Sequence, residues 1–368
     1  MKVLHFSYAT TWGGGEQQMV NLIEGTSCLG VNNLFVGLEN SMLHKYFEKR
    51  NIDTIFIKRE KGFNFSYLKS LYLIINENNP DIIHIHTGSF LKDFLVISFL
   101  YELRSKVVFT MNGMIRKKSL LSKMKYNNKH IDKYYCISKS VESNFRNNVL
   151  FTRNYPKTVV VYDGIDINRD KDYSIFDLRS RLGVDNNVKI VGNIGNHTQA
   201  KDLMTFLKVV NYTVNQLGIT NFFFVQIGRF SKLTPDLMKY IEENNLNKNV
   251  SFIGYLENAR TYLQYFDCFL MTSYREGLSM SILEAFLYET PVVSTNAGGV
   301  PEAVVHNETG LLAQVGNYRE LSYLIKRIIN DEELKQDLIT KAKVKLHKEF
   351  TIEILAANTL EVYNEVLS

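Results

Sequence analysis

Three cysteines in 368 residues, Cys28, Cys136 and Cys268, form no C-x-x-C pair. That argues against a disulfide scaffold or a zinc knuckle and fits a reducing compartment. Long hydrophobic runs are also missing. The greasiest stretch, residues 90–103, is broken by Lys92, Asp93 and Glu102 and is too short to span a bilayer. The opening Met1-Lys2-Val3-Leu4-His5-Phe6 turns polar too early for a secretory h-region, which predicts a cytoplasmic protein. Neither sign of charge dominates: 43 Lys and Arg stand against 38 Asp and Glu, a net of +5. This permits attraction to anionic surfaces without calling for nucleic acid. The chain has no G-x-G-x-x-G fingerprint followed by a ribose-binding acid, so a nicotinamide dehydrogenase is a poor match. Short internal repeats and low-complexity segments are absent too.

What is present is an alternation. Short apolar runs at 3–8, 33–38, 54–57, 81–86, 107–111, 133–137 and 158–162 read as strands, with helical patterns at 16–29, 67–78 and 90–103 between the early ones. The pattern restarts at 188–194, with a helix over 201–216 and strands at 222–227, 250–253, 268–272, 291–295 and 311–313. Strands alternating with helices, with few hairpin signals, predict α/β halves built on parallel sheets covered on both faces. An apolar content of 45% is ample for two cores. The predicted layout is a Rossmann-like domain over 1–168, a polar hinge over 169–185, a second Rossmann-like domain over 186–350 and a final helical segment over 351–368.

The densest chemistry lies in Glu276-Gly277-Leu278-Ser279-Met280-Ser281-Ile282-Leu283-Glu284. Glu276 should follow a strand end and Glu284 should lie near the start of the next helix, where open α/β sheets bind ligands. Two carboxylates at one crevice suit a polyhydroxyl ligand, because each accepts strong hydrogen bonds from hydroxyls. Spacing alone equally allows two solvated glutamates flanking a helix.

The run from Glu276 through Pro291-Val292-Val293, Gly298-Gly299 and Glu302 resembles the E-x7-E signature of retaining family-4, or group 1, glycosyltransferases. The resemblance extends over nearly the whole chain. It implies a GT-B fold, two Rossmann-like doubly wound domains facing across a cleft, with the last helix returning to the first domain. It maps the donor-sugar contact onto Glu276 and the nucleotide-ribose contact onto Glu284. It also implies transfer of a sugar from a UDP- or GDP-sugar, with retention, to a glycan or lipid-linked acceptor such as a surface-polysaccharide precursor.

Other landmarks follow the same pattern. Gly13-Gly14-Gly15-Glu16 opens a helix after the first strand. Glycines there let a ligand approach the backbone, and helix N–H groups favour anions. The segment looks like the family's G-G-x-E loop, which assigns Gly14 and Gly15 to the donor side. In Gly195-Asn196-His197-Thr198-Gln199-Ala200-Lys201, Lys201 matches the family's diphosphate-binding lysine and is expected at a helix N-terminus, while Asn196 stands in the slot of an arginine. Arg229 is a candidate substitute for the missing charge. Backbone N–H groups of Gly277, Leu278 and Ser279 complete the expected leaving-group site. Asn112 occupies the slot of a family histidine near the donor sugar, where it can hydrogen-bond but not titrate.

His84 and His86 alternate on one strand, but no third ligand of suitable spacing accompanies them. They read instead as strand-end residues, with His86 nearer the cleft. In the resembled family this strand commonly ends in such a histidine, whose role varies, and the resemblance places His86 at the acceptor or in another cleft role. With no D-x-D-type motif in a plausible donor-site position, no metal or other cofactor is expected. The basic run Arg116, Lys117, Lys118, Lys123, Lys125, Lys129 and Lys133, interleaved with Ile115, Leu120, Leu121 and Met124, suits either an anionic membrane surface or a solvated helix face. Readings still open are a sugar-nucleotide epimerase or phosphorylase of the same architecture, a non-catalytic nucleotide-sugar-binding subunit, and a peripheral membrane scaffold.

Overall fold

The computed structural model describes residues 1–50, 52–59, 64–115, 119–168 and 177–368. Two compact units emerge from the contacts: Met1–Ile165 together with Thr351–Ser368, and Asp166–Phe350. Of the predicted hinge, residues 169–176 lie outside the described residues.

The first unit is built on β1 (Lys2–Phe6), β2 (Asn32–Leu38), β3 (Asp53–Ile57), β4 (Ile82–Ile85), β5 (Lys106–Met111), β6 (Lys133–Cys136) and β7 (Thr158–Val160). They form one parallel sheet in the order β3-β2-β1-β4-β5-β6-β7. The central strands read as continuous apolar runs because helices cover both faces: Val3, Leu4, Phe6, Ile82, Ile83 and Ile85 are all fully buried. The helix Gly14–Cys28 follows β1 and packs against the terminal helix Ile352–Leu367. The two approach so closely at Gly25 that a Cβ there would sit 3.0 Å from the Cβ of Ala356. Thr351 caps the terminal helix, its hydroxyl accepting from Ile354 N.

The second unit carries β8 (Lys189–Ile194), β9 (Phe222–Ile227), β10 (Val250–Gly254), β11 (Cys268–Met271), β12 (Val292–Thr295) and β13 (Leu311–Ala313), parallel in the order β10-β9-β8-β11-β12-β13. Its core gathers Val191, Phe206, Phe224, Leu270, Val293, Leu321 and Ile325. The helix predicted over 201–216 begins later, at Leu203. Asp202 adopts a left-handed φ of 44° and ends a 3₁₀ turn, Gln199–Lys201, and its carboxylate then caps Thr205. Lys201 therefore closes that turn and does not lie at the helix N-terminus.

In each sheet the strand order reverses once, between β1 and β4 and between β8 and β11. The crevice outside the carboxyl ends of such a strand pair is where doubly wound sheets bind ligands.

Candidate active site

In the second unit, the loops leaving β8 and β11 are stitched together. Tyr274 N donates to Ala200 O at 3.0 Å, and the Thr272 hydroxyl donates to Asp202 O at 3.1 Å. The β9 loop joins them. Gly228 lies so close to the β8 loop that a Cβ would fall 2.0 Å from Gly195 O, so only glycine fits there. Asn196 is exposed, and its Oδ1 accepts from Arg229 N at 3.0 Å. The amide in the arginine slot thus ties two loops together. The guanidinium of Arg229 lies over the Tyr255 ring, 5.2 Å from its centroid.

On this frame Lys201 Nζ donates to Glu276 Oε1 at 2.7 Å, and the buried Ser273 hydroxyl donates to the same oxygen at 2.6 Å. Ser273 is held in turn by its carbonyl, which accepts from Thr295 Oγ1. Oε2 of Glu276 takes no hydrogen bond from the described residues, so it is available to a ligand hydroxyl. The following helix, Met280–Leu287, starts at Ser279, whose hydroxyl turns inward to Ser281 and Met271 and leaves the N-terminus without a side-chain cap. Leu278 and Ser279 are both buried, so what they offer a ligand is backbone.

Glu284 sits in the second turn of that helix, further in than the expected helix start. Burial pushes its carboxyl up to about 7, against the opposing pull of Arg260 and Lys201. Lys201, Glu276 and Glu284 are therefore brought together at the β8/β11 reversal. Arg260 joins them from the 3₁₀ turn Ala259–Tyr265. No sequence motif flagged Arg260, because its role comes from proximity to Glu284 across the fold. A neighbouring concavity of about 430 Å³, lined by His197, Thr198, Asp202, Leu237 and Tyr274 among others, includes neither Glu276 nor Glu284. His197 is buried there between Thr234 Oγ1 and Gln226 Oε1, each at 2.8 Å, and burial lowers its pKa.

The remaining sequence-assigned residues lie in the first unit. Gly14 and Gly15 open the helix after β1, and a Cβ on Gly15 would meet Asn112 Nδ2 at 2.8 Å, so the glycine and the amide at the β5 end are in close approach. His86 follows β4, its N–H donating to Phe6 O at the end of β1. The expectation that His84 and His86 lack a third neighbour is corrected. Register places His5 opposite His84 across β1 and β4, and the three buried imidazoles bring ligand atoms within 4.8 Å of one another. Both nitrogens of His84 are engaged at 2.6 Å, one by Tyr363 OH and one by Thr110 Oγ1, so it has no free lone pair to offer a metal. In the basic run, Arg116, Lys117 and Lys118 lie outside the described residues. Beyond them the short helix Leu120–Tyr126 buries none of its residues.

Two family profiles match consecutive parts of the chain: Glycosyltransferase Family 4 over residues 12–169 and Glycosyl transferases group 1 over residues 174–345. The chain belongs to the group 1 glycosyltransferases. Among curated relatives, N-acetyl-alpha-D-glucosaminyl L-malate synthase of Bacillus anthracis is 20% identical over 329 residues, covering 88% of this glycosyltransferase and 84% of that protein. Among solved structures, a glycosyltransferase from Rickettsia africae aligns with a TM-score of 0.85 at 20% identity, over 100% of this chain and 98% of that one. HepE of Anabaena, in complex with UDP and glucose, aligns with a TM-score of 0.85 at 20% identity, over 99% of both chains. These likenesses establish the GT-B architecture of this glycosyltransferase.

Proposed function

We propose that this glycosyltransferase moves a sugar, with retention of anomeric configuration, from a UDP- or GDP-sugar to a glycan or lipid-linked acceptor in surface polysaccharide synthesis, and that it needs no metal to do so. The observation that carries the reading is the Lys201–Glu276 ion pair at 2.7 Å, with Glu284 beside it, at the β8/β11 reversal. A donor diphosphate next to Lys201 meets an ammonium and the uncapped N-terminus of the helix Met280–Leu287. Together they stabilise the negative charge that builds on the leaving group. Glu276 then holds a donor-sugar hydroxyl through Oε2. Glu284 accepts from the ribose hydroxyls, and those donors favour its ionised form. Asn112 cannot titrate, so the protein contributes positioning and charge stabilisation rather than a histidine acid or base at that position. The similarity to HepE, solved with UDP and glucose, supports a nucleotide-sugar donor.

The test is a thermal-shift screen against UDP, GDP, ADP and their sugar conjugates in the presence of EDTA, with Glu284→Ala as control. A stabilising nucleotide whose effect disappears in the variant supports the donor site and identifies the base. Binding without turnover on any acceptor would favour the non-catalytic subunit. No shift with any nucleotide at millimolar concentration would sink the reading.

A cytoplasmic-face membrane contact is part of the same proposal. In the helix Leu120–Tyr126, Leu120, Leu121 and Met124 are 74%, 79% and 64% exposed beside Lys123 and Lys125, a composition suited to an anionic lipid surface. Co-sedimentation with phosphatidylglycerol vesicles, but not with phosphatidylcholine vesicles, is the expected result.

A further inference from the structure

The histidines at the β1/β4 reversal belong to a hydrogen-bond chain whose proton positions follow from its far end. Asn33, on β2, has its Nδ2 against Ile23 O at 3.1 Å and against the hydroxyls of Thr26 at 3.0 Å and Ser27 at 2.9 Å. Those hydroxyls donate to the carbonyls of Leu22 and Ile23, so they accept from Asn33. The orientation of the amide is thereby set, and Oδ1 faces His5 Nε2 at 2.9 Å. A carbonyl oxygen only accepts, so His5 carries its proton on Nε2. Burial keeps the three imidazoles neutral, His5 being pushed down to about 4 and His84 and His86 well below their usual range. His5 Nδ1 is then a lone pair, 3.0 Å from His86 Nε2. Two lone pairs do not meet at that distance, so His86 Nε2–H is the donor. What remains is His86 Nδ1, a lone pair that is buried and has no partner among the described residues. An unpaired buried acceptor is costly and calls for an occupant.

We propose that Asn33 and His5 lock His86 in its Nε2–H tautomer so that Nδ1 accepts a hydrogen bond from a hydroxyl of the sugar acceptor. The identity of that hydroxyl rests on the glycosyltransferase reading above, whereas the lock rests only on the hydrogen bonds. The location suits a ligand, since His86 lies just past the carboxyl end of β4, beside β1, where the strand order reverses. The chain ends on a neutral amide instead of a carboxylate. It therefore orients the imidazole without stabilising an imidazolium, and Asn33 and His5 are positioning residues.

The full chain, labelled with ¹⁵N-histidine, tests both halves. Two-bond ¹H–¹⁵N correlations should show His5 and His86 as neutral Nε2–H tautomers. In His5→Phe, which should keep the amide spectrum of a folded protein, His86 should lose its single tautomer. An Nδ1–H tautomer for His86, or an unchanged one in His5→Phe, overturns the lock. With UDP present, titration with methyl glucoside and methyl N-acetylglucosaminide should shift the His86 Nδ1 resonance. Glycoside binding should weaken about tenfold in His86→Phe and recover in part in His86→Gln, whose amide oxygen can accept instead. A resonance that stays put with both glycosides, or His86→Phe binding as well as the parent, overturns the ligand half and leaves Nδ1 to an internal water. A UDP thermal shift alongside an unmoved resonance sinks this inference and spares the function. A moved resonance without any nucleotide response does the reverse.

Discussion

The two sheets share one winding rule and place polar side chains at the same topological point, yet the two clusters are electrostatic opposites. At the β8/β11 reversal stand an ammonium, two carboxyls and a nearby guanidinium, partly open to solvent. At the β1/β4 reversal stand three buried neutral imidazoles, with amides from Asn33 and Asn112 close by. The difference suits two kinds of ligand. A diphosphate needs charge that is already in place, and charge stays affordable only where water or a counter-ion reaches it. A neutral hydroxyl needs only a correctly turned acceptor, which a dry hydrogen-bond chain can provide.

The contrast can be broken by substitution, and the largest effect is expected at Lys201. Lys201→Ala removes the ammonium that the proposed function places next to the leaving group and should lower kcat/KM by about 100-fold or more, with steady-state kinetics as the check. If transfer is indifferent to Lys201, the charged cluster is not the donor site. Glu284→Ala should weaken nucleotide binding by about 10- to 100-fold in calorimetry, the loss of a charged hydrogen-bond partner. The same change should leave the histidine tautomers of the first unit as they were.

A smaller effect concerns stability. Folding raises the Glu284 carboxyl from 4.5 to about 7, so between these values the unfolded chain releases the proton that the folded chain retains. The stabilisation that this neutral carboxyl provides is complete below the lower value and is lost as pH rises through the upper one. Glu284→Gln should therefore melt above the parent at pH 8 and level with it at pH 4, even as donor binding falls. A Tm difference that does not depend on pH would show that folding leaves the Glu284 pKa where it is in the unfolded chain. The smallest stability effect is expected for Leu121→Ser, a change on an unburied helix face. Its Tm should stay within about 1–2 °C of the parent while vesicle binding falls.

Much of the scaffold could be read directly because parallel strands buried on both faces leave short, dense apolar runs such as Ile82–Ile85 and Cys268–Met271. The boundaries moved where a single side chain intervened. Asp202, left-handed and capping Thr205, delayed a helix that periodicity alone would have started at Lys201. The helix Met42–Phe47 was too short to announce itself by period and depends on the Ser41 cap. The glutamate pair was legible because both members lie on one continuous segment. Arg260, His197 and the third histidine were not, because each gains its role from a strand or turn remote in the chain.

Local order alone thus determines that Glu276 follows a strand, that Glu284 lies on the next helix and that glycines open the first helix, since these follow from near-neighbour periodicity and turn chemistry. Folding in three dimensions decides which charges meet and where protons sit. Lys201 reaches Glu276 across 75 residues, and Asn33, His5 and His86 form one chain across separations of 28 and 81. Hydrogen bonds act over about 3 Å, and only the pairing of strands brings such distant residues within that range.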